Sequence, residues 1–260
     1  MLLCVDVGNS NITFGIYKDK ELIETFRMET KEITSLNQLS EQFSIITNTY
    51  SYLLNDFDYV IIDSVVPRID IILEKFFIKN HLNYMFIDYN SPIGIDIKID
   101  NPSELGSDLL VGAYQAYNKY GGPCLVVDMG TATTLFLINK NREFLGGVIY
   151  PGVLSSFGNL LKDTSKLNMK GIDAPSNVIG RNTNDCLQSG MLYGSSEAIN
   201  GLINLIKSES GIDDFKIIIT GGIASFLHPY INNSIYDENL LLDGLCSIYE
   251  SFIKKSLKKY

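Results

Sequence analysis

The chain opens on two short apolar, β-branched runs, residues 2–7 and 12–17, separated by Gly8-Asn9-Ser10-Asn11. That pattern predicts a β-hairpin. Asp19-Lys20 marks a second turn before a third strand over residues 21–28. Leu36, Leu39, Phe43, Ile46 and Tyr50 then recur at helical spacing within residues 35–54. Residues 59–66 form an apolar strand ended by Pro67, residues 69–79 return to a helical period, and residues 85–88 form another strand. A second cycle follows Gly121-Gly122-Pro123. Strands are predicted over 124–128, 134–139, 144–149 and 215–220, and helices over 109–120, 152–162, 184–208 and 243–257. Mixed strands and helices in this order predict an α/β layer architecture with a partly parallel sheet.

The two cycles align without a gap. Leu3, Val5, Asp6, Gly8, Phe14, Ile16, Lys18 and Glu21 are matched by Leu125, Val127, Asp128, Gly130, Phe136, Ile138, Lys140 and Glu143. Alternation explains the apolar matches in any two hairpins. It does not explain a shared Asp-x-Gly followed by shared charges at the next turn, so the chain is read as an internal duplication. The implied domains are residues 1–120 and 121–260.

Composition narrows the function. Thirty acidic against 21 basic residues give a net charge of −9, which disfavours nucleic-acid partners that need a basic face. Lys254, Lys255, Lys258 and Lys259 read as a solvated helix end. The four cysteines and two histidines are scattered, without metal-ligand or disulfide-framework spacing. The N-terminus lacks the pattern of a signal peptide, and no apolar run approaches the roughly 20 residues that span a bilayer. A cytoplasmic protein with no membrane partner is expected.

The hairpin turns carry the chemistry. A turn rich in Gly, Asn, Ser and Thr presents backbone N–H groups and short hydroxyls that can cradle phosphate. An aspartate two residues before the turn glycine would point into the same space, and beside phosphates it implies a bound cation such as Mg²⁺. A single Asp-x-Gly is more simply an aspartate capping a turn; two copies favour a nucleotide gripped from both sides of a shared cleft. Within residues 217–224, the strand that ends at Thr220 runs into Gly221-Gly222-Ile223-Ala224, and its glycines allow close approach of the adenosine or of a packed helix. No Walker or Gly-x-Gly-x-x-Gly motif is present.

These features resemble type III pantothenate kinases, within the superfamily of sugar kinases, actin and heat-shock chaperone ATPases. The resemblance rests on Asp6-Val-Gly-Asn-Ser10, Ser64-Val-Val-Pro67, Asn101-Pro102, Gly106-Ser-Asp108, Asp128-Met-Gly-Thr-Ala-Thr133, Gly146-Gly-Val-Ile-Tyr-Pro-Gly152, Gly180-Arg-Asn-Thr183 with Gln188-Ser-Gly190, and Thr220-Gly-Gly-Ile-Ala224. It implies two ribonuclease H-like domains, as in the actin-like ATPase duplication, flanking a cleft. It also implies a homodimer that phosphorylates pantothenate with ATP as the first step of coenzyme A biosynthesis, using Mg²⁺ and a monovalent cation, K⁺ or NH₄⁺. By motif, Asp6, Val7, Gly8, Asn9, Ser10, Asn11, Ile12, Thr13 and Thr131 would contact ATP, and Asp128 would bind the monovalent cation. Asp108 would be the general base, and Gly106, Ser107, Asp108, Leu109 and Thr183 would line the substrate pocket. The bland reading of Asp108 is a helix N-terminal carboxylate.

The chain departs from the family pattern twice. Leu109 stands where the family carries an arginine for the substrate carboxylate, and Ile99 stands where a tyrosine is usual. An isobutyl group cannot replace a bidentate guanidinium. Two further readings therefore stand beside the kinase: a catalytically impaired nucleotide-binding regulator, and a kinase of another small hydroxylated acceptor. The small residues Gly190, Gly194, Ser195, Ser196, Ala198 and Gly201 suit close helix approach, within one subunit or between two.

Overall fold

The computed structural model describes residues 1–50, 52–163, 169 and 171–253. The chain divides into two compact units, Met1–Asn118 with Asn239–Tyr260, and Lys119–Glu238. The first contains β1 (Leu2–Val7), β2 (Asn11–Lys18), β3 (Glu21–Glu29), α1 (Leu36–Tyr50), β4 (Tyr59–Ser64), α2 (Pro67–Lys79), β5 (Tyr84–Ile87), β6 (Asp96–Ile97), α3 (Ser107–Tyr120, its last two residues in the second unit) and, after the second unit, α8 (Leu240–Ile248). The second contains β7 (Cys124–Met129), β8 (Ala132–Ile138), β9 (Glu143–Pro151), α4 (Val153–Asp163), α5 (Thr183–Ser189), α6 (Ser195–Ser210), β10 (Lys216–Thr220), α7 (Ala224–Leu227) and β11 (Ser234–Tyr236). A π-turn at Gly190–Gly194 joins α5 to α6, and another at Tyr249–Ile253 follows α8.

Both sheets have one topology. The first runs β3-β2-β1-β4-β5, and the strands of the second unit run β9-β8-β7-β10-β11 in the matching order. In each, the first three strands are antiparallel and the last two join parallel. Each ladder also carries an irregularity at the same place, between Ile16 and Tyr17 in one and between Leu137 and Ile138 in the other. Shared bulges are designed features of a strand pair, so the duplication extends below the level of topology.

The gapless alignment nonetheless slips by one residue along β2 and β8. Val7 pairs with Ile12, leaving Gly8–Asn11 in the first turn, whereas Met129 pairs with Thr133, leaving only residues 130–132. Val5 consequently faces Phe14, but Val127 faces Leu135. The following turn compensates: Tyr17 pairs with Leu22, and Ile138 with Phe144. A one-residue slip sends a strand side chain to the opposite face. Phe14 accordingly lies in the first core, stacked on Phe26 at 4.7 Å. Its spatial equivalent in the second core is Leu135, while Phe136 stacks on Phe144 outside that cluster.

The first core joins Leu3, Val5, Val7, Phe14 and Ile62 to Leu39 and Phe43 of α1 and to Ile69, Leu73 and Phe77 of α2. Proline at the first position of α2 costs no hydrogen bond there and presets the backbone angle. The periodicity places a closing helix at residues 243–257 in the second half. In the structure α8 instead packs on the free face of the first sheet: Leu242 lies 3.1 Å from where a Cβ on Gly15 would stand, and Tyr17 donates to Asp243 at 2.7 Å. Residues 254–257 and the terminal lysines lie outside the described residues. The second core unites Leu125, Val127, Leu135 and Ile219 with Met191, Leu192, Ile199 and Ile203.

Candidate active site

In the first unit the turn after β1 is built for exposed donors. Gly8 N–H donates to Asn11 O at 2.9 Å, and Asn9, Ser10 and Asn11 are exposed. Thr30, fully buried after β3, holds this turn from behind: its hydroxyl donates to Gly8 O at 2.7 Å and its N–H to Ser10 O at 3.0 Å. Arg68 braces Thr30 in turn, donating to Thr30 O and Ile33 O, each at 2.8 Å. Neither residue belongs to a motif, and only the fold reveals them. Arg68→Ala is expected to cost about 1.5–3 kcal/mol, the range for hydrogen bonds from a charged donor. A lower denaturant midpoint and weaker ATP binding would show it. Asp6, half-buried near the end of β1, pairs with Thr13 across the hairpin and with Asp63 on β4. Asp63 is 0% exposed.

Also in the first unit, Asp108 is the second residue of α3, which starts at Ser107, two residues before the position 109 that the pattern gives. Its Oδ1 accepts from Leu109 N at 2.8 Å. Burial pushes its carboxyl above the ordinary carboxylate range, against the pull of the Leu109 and Asp108 amides. Gly106 is required by this arrangement, because a Cβ there would stand 2.4 Å from Asp108 Oδ1. Leu109 and Ile99 are half-buried.

In the second unit, Asp128 near the end of β7 pairs with Thr134 on β8 and Thr220 on β10. Gly221, at φ +101°, passes so close that a Cβ would lie 2.6 Å from Asp128 Oδ1 and from Met129 N and C. Of the two glycines that end this strand, Gly221 therefore serves first to admit the Asp128 carboxylate, while Gly222 has nothing within 4 Å of a built Cβ. Gly152 performs the same service for the turn, since its Cβ would fall 2.1 Å from Thr131 O. Thr131 is exposed, and its carbonyl accepts from Ser155 Oγ at 3.0 Å. Thr183 is exposed at the start of α5, beside the cap Asn182 that accepts from Asp185 N at 3.0 Å.

Asp6 to Thr13, Ile99 and Gly106 to Leu109 lie in the first unit, and Asp128, Thr131 and Thr183 in the second. Among the described residues no group of three or more His, Cys, Asp or Glu side chains could hold a metal ion alone. Sites with few carboxylates suit a cation that completes its shell with phosphate and water. The second unit adds a fitting oxygen donor: Thr134 Oγ1, opposite Asp128, is buried without a hydrogen-bond partner. Carboxylate, hydroxyl and a glycine cradle form a hard-oxygen set. No helix among the described residues is long and apolar enough to cross a membrane.

Comparison with known proteins identifies the family and the fold. A family model described as type III pantothenate kinase matches residues 2–205. A type III pantothenate kinase from Agathobacter rectalis is 34% identical over 99% of this chain and 100% of its own. Among solved structures, a Campylobacter jejuni protein described as a Baf family transcriptional activator superposes with a TM-score of 0.60 at 21% identity, over 97% of this chain and 99% of that one. A Porphyromonas gingivalis protein described as an N-acetylglucosamine kinase gives 0.55 at 12% identity, over 97% and 100%. These likenesses show the fold, two ribonuclease H-like α/β domains of the sugar kinase and actin type. From the family match and the full-length relative together, the chain belongs to the type III pantothenate kinase family.

Proposed function

We propose that this chain transfers the γ-phosphate of ATP to the primary hydroxyl of pantothenate, the first step towards coenzyme A. The observation that carries the reading is Asp108, a carboxylate held at a helix start and raised by burial, in a member of the kinase family. Asp108 takes the hydroxyl proton as the oxygen attacks the γ-phosphorus. The new O–P bond forms as the bridging P–O bond to ADP breaks. Little covalent assistance is needed, because phosphoryl transfer depends on positioning and charge neutralisation. Asp6 to Thr13 and Thr131 contact ATP.

Asp6, with Asp63 beside it, would hold Mg²⁺ through the nucleotide, and Asp128 with Thr134 would hold K⁺ or NH₄⁺; these ions supply charge neutralisation when bound. Gly106 to Leu109 would contact the acceptor, and Thr183 is a further proposed acceptor contact. The protein works in the cytoplasm as a homodimer, without membrane or nucleic-acid partners. Supporting a dimer, Ile149 and Ile179 are 78% and 84% exposed, and Gly194 and Gly201 have nothing within 4 Å of a built Cβ.

Leu109 favours a second reading, in which the acceptor is another small hydroxylated molecule or catalysis is impaired. A panel of hydroxylated acceptors, with products identified by mass, discriminates: phosphopantothenate supports the first reading, a different phosphorylated product the second. Leu109→Arg is expected to lower the KM for pantothenate by about tenfold or more, the worth of one good charged hydrogen bond. An unchanged KM places the substrate carboxylate elsewhere.

A further inference from the structure

We infer that Ser64 and Ser107, backed by Asp70, form a positioning clamp that fixes the Asp108 carboxylate relative to the strand leading into the first phosphate turn. The inference rests on Asp108 being the base of the proposed reaction. Ser107 is 6% exposed. Its hydroxyl accepts from Ser64 N at 2.9 Å and donates to Ser64 O at 3.0 Å. A hydroxyl so committed is not free to bind an acceptor, so Ser107 serves the pocket by holding its neighbour.

The reason lies in the sheet. Ser64 ends β4, one residue past the last β4–β5 pair, Asp63 with Ile87. The next residue, Val65, donates to Val7 O at 3.1 Å. Successive residues of a strand turn their amide groups to opposite sides, so those of Ser64 face the side that β5 has left. One hydroxyl satisfies both groups where a strand would otherwise be needed. The Ser64 hydroxyl accepts from Val66 N at 3.2 Å and donates to Asp70 Oδ1 in the first turn of α2. Ser64 also pairs with Val7, the residue before Gly8. The start of α3, and with it Asp108, is thereby referenced to the strand that ends in the phosphate turn. Displacement of a reacting group by about 1 Å can cost 10²-fold in rate, which gives such a clamp a catalytic consequence.

The test is a double-mutant cycle on the full-length protein: wild type, Ser107→Ala, Asp108→Asn and the double variant, measured by pantothenate-dependent ADP release and by binding of a non-hydrolysable ATP analogue. Ser107→Ala is expected to lower kcat by about 10–100-fold, with analogue affinity held within about threefold, and to cost nothing further in the Asp108→Asn background. Asp70→Ala, which leaves both serines in place, is expected to follow the same pattern more weakly and provides the cycle if Ser107→Ala does not fold. Equal losses in both backgrounds, or affinity falling in step with kcat, would overturn the clamp alone. A wild-type protein without pantothenate-dependent release would overturn the functional reading and the clamp together.

Discussion

Replacing Asp108 with asparagine is expected to lower kcat for pantothenate by about 10²–10⁴-fold, the usual contribution of a positioned general base. ATP binding should persist, because Asp108 lies on α3 and the first phosphate turn on the β1–β2 hairpin. The elevated pKa has two consequences of opposite kind. Activity requires the ionised carboxylate, so the acid limb of the kcat/KM profile should fall above the ordinary aspartate value of about 3.9. Stability responds the other way. A carboxyl whose folded pKa is raised contributes stability that is fully present below its unfolded pKa and is lost as pH rises through the folded one. At neutral pH the charged Asp108 therefore costs stability, and Asp108→Asn should unfold at a higher denaturant concentration than wild type. Below about pH 4 that advantage should vanish. Gain of stability with loss of turnover is the signature of a residue retained for chemistry.

Gly221→Ala should be the most damaging single-methyl change near Asp128. The residue sits at φ +101°, a conformation that L side chains rarely adopt, and its Cβ would lie 2.6 Å from the Asp128 carboxylate and from Met129 N and C. The Met129 backbone cannot retreat easily, since it is paired to Thr133 in the hairpin. Backbone strain and overpacking each cost about 1–3 kcal/mol. The expected result is a large drop in the denaturant midpoint together with loss of the proposed activation by monovalent cations. Gly222→Ala is the control: nothing lies within 4 Å of its built Cβ, and a change within about 0.5 kcal/mol is expected.

Much of this was legible from residue patterns because the hairpins state themselves locally. Alternation, a turn glycine and a repeated aspartate mark β1–β2 and β7–β8, and the structure finds both, with Asp19 and Lys20 at positive φ in the expected second turn. The slip between Phe14 and Phe136 was not legible. Its two turns change length by one residue in opposite senses, and identities on either side conceal the shift. The placement of α8 was hidden for another reason: an amphipathic helix shows that it needs a sheet, without showing which of two similar sheets. Strands β6 and β11 are too short to carry a period. Arg68, Thr30 and the Ser64–Ser107 contact depend on residues brought together from distant parts of the chain, which no spacing rule anticipates. Asp108 was legible only through its motif, since an acidic residue opening a helix is ordinary.

The proposed transfer of phosphate from ATP to pantothenate, with Asp108 as base, can be tested directly. The direct measurement is ADP release by the purified protein with ATP, Mg²⁺ and K⁺, with and without pantothenate. Release that appears only when pantothenate is added, and that Asp108→Asn removes, is the result predicted. Intact nucleotide binding with no pantothenate-dependent release, or release indifferent to Asp108→Asn, would contradict it.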